Sequence, residues 1–211
     1  ISTNTSIYSI WNNESLPWED KEQRVKAILD NYLAENHVVS HLQLKTNDGH
    51  LISVGEPVSV AIEPEFDQEI RPTKIAVYHT VVFGDDGKGY LVFGKKFYSF
   101  QSGYHLGSLY LFIPEELISS VYKGSAEDGS QFFITSGGRV ISHADKNYLN
   151  QVLLVPEGFY NSDFSYNAQV TGYVYRAHQL SLDAVATQEW EMVCLLNCNN
   201  LYSTVSLLQD E

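Results

Sequence analysis

Seven histidines and twenty-six acidic side chains are the groups in this chain best suited to chemistry. Their spacing assembles no catalyst. His37 and His41 are four apart, but they straddle a junction between a helical and an extended pattern, so they share no helix face. His50, His79, His105, His143 and His178 are scattered singly, with no HExxH and no paired CxxC. They read as surface or half-buried side chains. Glu63, Glu65, Asp67 and Glu69, with Asp85 and Asp86, offer oxygen ligands but no DxDxDG loop, and read as solvated acidic loops. GDDGKG, residues 84–89, has the glycines of a phosphate loop without its GKS or GKT ending, so a hairpin turn is the better reading. There is no GxSxG elbow. No two acids stand out as a pair for glycoside hydrolysis. The expectation is a non-catalytic domain with no metal site and no cofactor.

What the sequence offers instead is aromatic walls. It has fourteen Tyr and ten Phe, many on strand-like runs. A small-molecule pocket combines such walls with a few polar groups that fix orientation. The candidate ligand-binding residues are Tyr78, Tyr90, Phe93, Lys95, Tyr98 and Tyr104, with His79 beside them. Successive strand residues point to opposite faces, so Tyr78 and His79 cannot share one, and about half of the set must point away from any single pocket. Tyr173, Tyr175, Arg176 and Trp190 face the same test, with Trp190 expected in the core.

The elements that must position these residues have ample material. The chain has 211 residues, 44% of them hydrophobic, which suffices for one large domain or two small ones. The formal net charge of −13 argues against nucleic acid and against an anionic lipid surface. It suits a soluble, secreted domain. Cys194 and Cys198 are not a disulfide framework; residues four apart in an extended strand are too distant to bridge, and a turn at Asn197 is the alternative that would bring them together. No run reaches the roughly 18 apolar residues that span a bilayer, and no signal-peptide pattern opens the chain. The expectation is a soluble excised piece or a mature form.

Residues 18–36 carry a helical pattern, with Val25, Ile28, Leu29, Tyr32 and Leu33 on one face and acids at its start. Residues 1–16 are expected to extend this spine. A hairpin follows, turning at Asn47-Asp48-Gly49. After a proline-containing loop come strands over residues 74–84, 90–100 and 107–113, then a helix opened by Pro114. The order repeats in outline. A second hairpin turns at Ser136-Gly137-Gly138, ADKNYLNQVLL reads as a short helix, strands cover residues 169–180 and 189–196, and a helix covers 199–208. Helices and antiparallel strands segregated in this way indicate an α+β fold.

Three passages carry a resemblance. GSLYLFIPEELISSVY, residues 107–122, is similar to the last distal strand and connecting helix of double Cache (tandem PAS-like, PDC-type) extracytoplasmic sensor domains. FFITSGGRVISHADKNYLNQ, residues 132–151, resembles the opening hairpin of their membrane-proximal module, with His143 where a second Ser is usual. VYRAHQLSLDAVATQEWEMVCLLNCNNLY, residues 174–202, resembles the two closing strands and the outgoing helix. The Arg-Trp-Tyr arrangement with a downstream Asp that marks amino-acid-binding members is missing, and residues 55–74 form a short insert where a pocket segment is usual.

The resemblance implies a long N-terminal helix and two PAS-like modules, the second reduced. It places a helical spine at residues 1–36, a membrane-distal module with its connecting helix at 37–124, and a membrane-proximal module with its outgoing helix at 125–211. It further implies the extracellular ligand-sensing domain of a transmembrane two-component histidine kinase. Such a domain binds a small molecule, forms a homodimer, sits between membrane helices on the extracytoplasmic face of a bacterial membrane and binds no nucleic acid. Alternatives are the ectodomain of a chemoreceptor or cyclic-dinucleotide enzyme, or a secreted glycan-binding or adhesion module.

Overall fold

A computed structural model describes residues 5–58, 66, 76–98, 103, 105–123, 130–152, 165–168, 173–180, 185–186 and 190–197. It divides into two compact units, residues 1–114 with 184–186, and the remainder.

The first unit opens with α1 (Thr5–Trp11) and α2 (Trp18–Glu35). The expected continuous spine is broken between them. Asn13 Oδ1 accepts from the Ser15 backbone N–H and hydroxyl, a local turn that competes with helix, and Pro17 then starts α2 afresh. Glu19 and Asp20 occupy the first turn of α2, where the helix dipole favours anions. Val25 and Leu29, four apart, face inward. Lys21 Nζ donates to the Trp11 carbonyl at 3.0 Å, tying the end of α1 to α2.

Six strands form its sheet, in the order β10-β3-β4-β5-β1-β2. They are β1 (His41–Thr46), β2 (Leu51–Gly55), β3 (Ala76–Phe83), β4 (Gly89–Tyr98), β5 (His105–Pro114) and β10 (Val185–Ala186). All neighbours are antiparallel except β10 on β3. The β1–β2 turn works as the sequence indicates, with Gly49 at φ +88. β10 was not legible, because two residues carry no periodicity. Gly107 is required for another reason. A Cβ there would stand 2.2 Å from the Lys45 carbonyl oxygen, so only glycine lets β5 approach β1 at this rung.

One face of this sheet buries Leu42, Leu44, Ile52, Val54 and Leu109 against Ile7, Val25 and Leu29 of the helices. Each such side chain contributes up to about 1.5–3 kcal/mol.

The second unit begins where β5 runs into α3 (Glu115–Tyr122). Its sheet has the order β7-β6-β11-β9-β8, all antiparallel, with β6 (Gln131–Ser136), β7 (Arg139–His143), β8 (Ser165–Ala168), β9 (Tyr173–Leu180) and β11 (Trp190–Asn197). The short, polar β8 was not anticipated. Phe133 and Ile134 are consecutive and both buried, as are Val140 and Ile141, so both faces of this sheet are covered. Trp190 is core, as expected.

The helix read from ADKNYLNQVLL is a single 3₁₀ turn, Lys146–Tyr148. Asp145 caps it by accepting from the Asn147 N–H, and Asn150 at φ 65 ends it. The chain then pairs back onto β7, with Val140 and Asn150–Gln151 exchanging backbone hydrogen bonds.

α3 is held to β7 by a buried acid. Glu115 is 0% exposed. Its Oε1 accepts from Ser142 Oγ at 2.5 Å and from the His143 N–H at 3.0 Å. Its Oε2 pairs with Lys146 Nζ, which also donates to Ser119 Oγ at 2.8 Å and to the His143 carbonyl at 3.0 Å. Tyr122 OH and Ser142 Oγ lie 2.7 Å apart, and burial pushes the Tyr122 phenol well above its ordinary range. The closing helix expected over 199–208, and Cys198, lie outside the described residues. Cys194 stands half-buried in β11.

Candidate ligand-binding face

Residues directly opposite in an antiparallel pair project from the same face, so register assigns each candidate a side. Phe93 lies opposite Leu111 and Lys95 opposite Leu109. Tyr78 lies opposite Phe93, with their rings 5.7 Å apart in an edge contact. Leu109 and Leu111 pack with the helices. Tyr78, Phe93 and Lys95 therefore belong to the helix side of the sheet. Burial lowers the Lys95 ammonium pKa there.

Tyr90 belongs to the opposite face, opposite Pro114. Its ring is fully buried with Val58, Phe66, Val92, Tyr110 and Phe112. Its hydroxyl lies 3.2 Å from Glu56 Oε2 and 3.5 Å from Asp86 Oδ2, and Asp86 in turn pairs with Lys88 at 3.0 Å. Burial first, and then the hydrogen bond to Glu56, raise its pKa. Tyr98 follows a register shift at the end of β4, its ring 5.4 Å from His105. Tyr104 lies outside the described residues, and of His79 only the backbone is described. The described candidates do not form one site. The alternation rule required such a split, but the face of each residue depends on which rung it occupies.

The face away from the helices carries polar residues that the sequence did not single out. Three rungs cross β1, β5 and β4 on this side. They are His41–Phe112–Val92, Gln43–Tyr110–Gly94 and Lys45–Ser108–Lys96. Gln43 and Ser108 are buried, and Tyr110 is fully so, its ring 6.0 Å from Phe66. Lys96 Nζ donates to Ser108 Oγ at 3.5 Å, which leaves the serine hydroxyl proton available. Gly94 adds no side chain between Val92 and Lys96. His41 presents its ring at 75° to Phe112, 4.9 Å away. Burial lowers its pKa, opposed by the Glu56 backbone.

No acid occupies these rungs. An ammonium, a hydroxyl and an amide on adjacent strands form a donor-rich patch with an aromatic floor. Such a patch suits a carboxylate, whose oxygens accept charge-assisted hydrogen bonds. The available signal was the polar Gln43 and Lys45 alternating with Leu42 and Leu44 in HLQLKT. Among the described residues, no group of three or more His, Cys, Asp and Glu could hold a metal ion. No described helix is long and apolar enough to cross a membrane.

No family model matches the chain, and no curated protein matches it in sequence. Solved structures do. The extracellular domain of the histidine kinase vpHK1S-Z8 superposes with a TM-score of 0.70 at 10% identity, covering 96% of this chain and 86% of that one. The ligand-binding domain of the Pseudomonas fluorescens chemoreceptor CtaA, in complex with L-isoleucine, gives 0.62 at 13% identity, covering 95% and 83%. That of the Pseudomonas aeruginosa PAO1 amino acid chemoreceptor PctB, in complex with L-Gln, gives 0.61 at 14%, covering 99% and 91%. Identities this low speak to the fold alone. The helix-backed antiparallel sheets of this chain have the fold of the extracellular ligand-binding domains of bacterial sensors, consistent with the Cache (PDC) type.

Proposed function

We propose that this chain is the extracytoplasmic ligand-sensing domain of a transmembrane receptor of the histidine-kinase type, and that its ligand is a small carboxylate bound on the Gln43–Ser108–Lys96 face. The observation that carries the reading is the donor-rich patch on a sheet whose fold is shared, over nearly the whole chain, with a histidine-kinase extracellular domain. The chemoreceptor domains of the same fold are in complex with amino acids, which bear the group this patch suits.

On this reading residues 1–36 form the spine, 37–124 the membrane-distal PAS-like module with its connecting helix, and 125–211 a reduced membrane-proximal module with the outgoing helix. The domain does no chemistry. It works as a homodimer between membrane helices. A ligand that binds two arrangements of the distal sheet with different affinity shifts their populations, and that shift is the signal.

Titration calorimetry on the domain tests it, with short mono- and dicarboxylates, γ-aminobutyrate and L-amino acids against amines and sugars. The expected result is saturable binding of one carboxylate class, weakened about tenfold in Lys96→Met. Binding confined to amines or sugars, or a carboxylate bound equally well by Lys96→Met, would overturn it.

A further inference from the structure

The second unit has a cavity of its own, of about 260 Å³, walled by Tyr122, Phe132, His143 and Tyr148, with Lys123 and Asp145 at its exposed margin. His143 is 5% exposed. Its ring lies 4.5 Å from that of Tyr148 and 5.6 Å from that of Phe133. Nδ1 lies 2.9 Å from both the N–H and the carbonyl oxygen of Asp145, accepting from the first or donating to the second according to tautomer. The His143 main chain is fixed as well, the N–H donating to Glu115 and the carbonyl accepting from Lys146. Only Nε2 is left, buried and with no hydrogen-bond partner. A buried polar atom in this state calls for an occupant.

The buried polar groups behind the cavity are satisfied, with Ser130 and Gln131 completing its wall. Glu115 and Lys146 neutralise each other, and the Tyr122 hydroxyl is bonded to Ser142. Desolvation is the largest influence on His143 and lowers its pKa, against the opposing pull of Asp145 and Glu115. Lys123 and Asp145 both stand at the margin, so the lining has one side chain of each sign and no excess charge to hold an anion or a cation. A flat, uncharged ring meets aromatic faces and one hydrogen-bonding nitrogen. The volume is several times the roughly 30 Å³ share of one water molecule. It lies near the lower end of typical ligand sites, roughly 300–1,000 Å³.

We infer that this cavity is a second ligand site, independent of the carboxylate face, for a small uncharged heteroaromatic or phenolic compound that hydrogen-bonds His143 Nε2.

Long-range ¹H–¹⁵N NMR of the imidazoles in the whole domain tests it, with nicotinamide, indole and phenol as probes. The expected result is a saturable movement of the His143 Nε2 resonance by at least one probe, and affinity at least tenfold weaker in His143→Phe. Three results would overturn the inference. One is no saturable movement by any probe at millimolar concentration, the response of a cavity that holds only water. Another is undiminished binding by folded His143→Phe. The third is movement of His143 by carboxylates alone. The wild-type spectrum decides the matter even if the variant fails to fold.

Discussion

In the first unit, buried polar side chains stand in rows on one sheet face, and Lys96 donates to the neutral Ser108 on the rung they share with Lys45. In the second unit a buried acid, Glu115, is met by Lys146, by Ser142 and by a main-chain N–H. Burial of polar groups costs stability unless each is matched. The Glu115 network of the second unit meets this requirement internally and fastens α3 to β7, while His143 Nε2 beside it stays unmatched. The first unit meets it only in part, and an arrangement with donors to spare is one a ligand can complete. A satisfied network rigidifies, whereas spare donors select.

The sharpest break in this comparison is Glu115→Ala. It removes the acceptor of four donors, Ser142, Ser119, Lys146 and the His143 N–H, and should destabilise the protein by about 3 kcal/mol, near the low end for a broken buried pair because Lys146 is partly exposed. Urea denaturation measures this. Carboxylate binding should survive in the folded fraction, since the two constellations are separate. A variant that lost both together would dissolve the distinction.

Gly107→Ala should cost about 2 kcal/mol, because a Cβ cannot fit 2.2 Å from the Lys45 carbonyl. Unlike Glu115→Ala, it should also impair carboxylate binding by displacing Ser108 from its rung. Calorimetry at matched folded fraction reads that difference.

The paired variants Lys96→Met and Lys95→Met test the assignment of faces. The first should weaken a bound carboxylate about tenfold, ~1.4 kcal/mol. The second, one residue away on the helix side, should leave affinity unchanged. Equal losses would refute the register argument. Tyr122→Phe should cost ~1 kcal/mol, the value of one hydrogen bond to Ser142, seen as a lower urea midpoint at unchanged slope.

The smallest effect is one of pH. His41 in the first unit and His143 in the second both have pKa values lowered by burial from 6.5. The unfolded chain binds protons at these positions more readily than the folded one. Their contribution is therefore complete above about pH 6.5 and is lost as pH falls from there through the lowered folded values. Melting temperature should decline from pH 7.5 to 5.5, and His41→Phe with His143→Phe should flatten the decline.

Much of the architecture was legible in local signals. The spacing of Val25 and Leu29 on α2, the Asn47-Asp48-Gly49 and Ser136-Gly137-Gly138 turns, and the acids opening α3 each state an element and where it begins or ends. Period and turn chemistry are properties of neighbouring residues, so the chain order carries them. The break between α1 and α2 was partly visible in Asn13 and Pro17. The 3₁₀ turn after Asp145 was not, because backbone pairing to Val140 outcompetes helix there.

The candidate site was least legible. Alternation along β4 separates Tyr90 from Phe93 in the sequence itself. Which of the two faces the helices is settled by the pairing of β4 with β5 and of β5 with β1. The sequence by itself determined the longer elements and the aromatic stock of the sheets. Only the tertiary structure decided that Gln43, Ser108 and Lys96 share a face, and that Glu115 meets Lys146 thirty-one residues away. The physical reason is that hydrogen bonds between strands and pairing of buried charges join residues by register and burial, and neither is written in the spacing of neighbours along the chain.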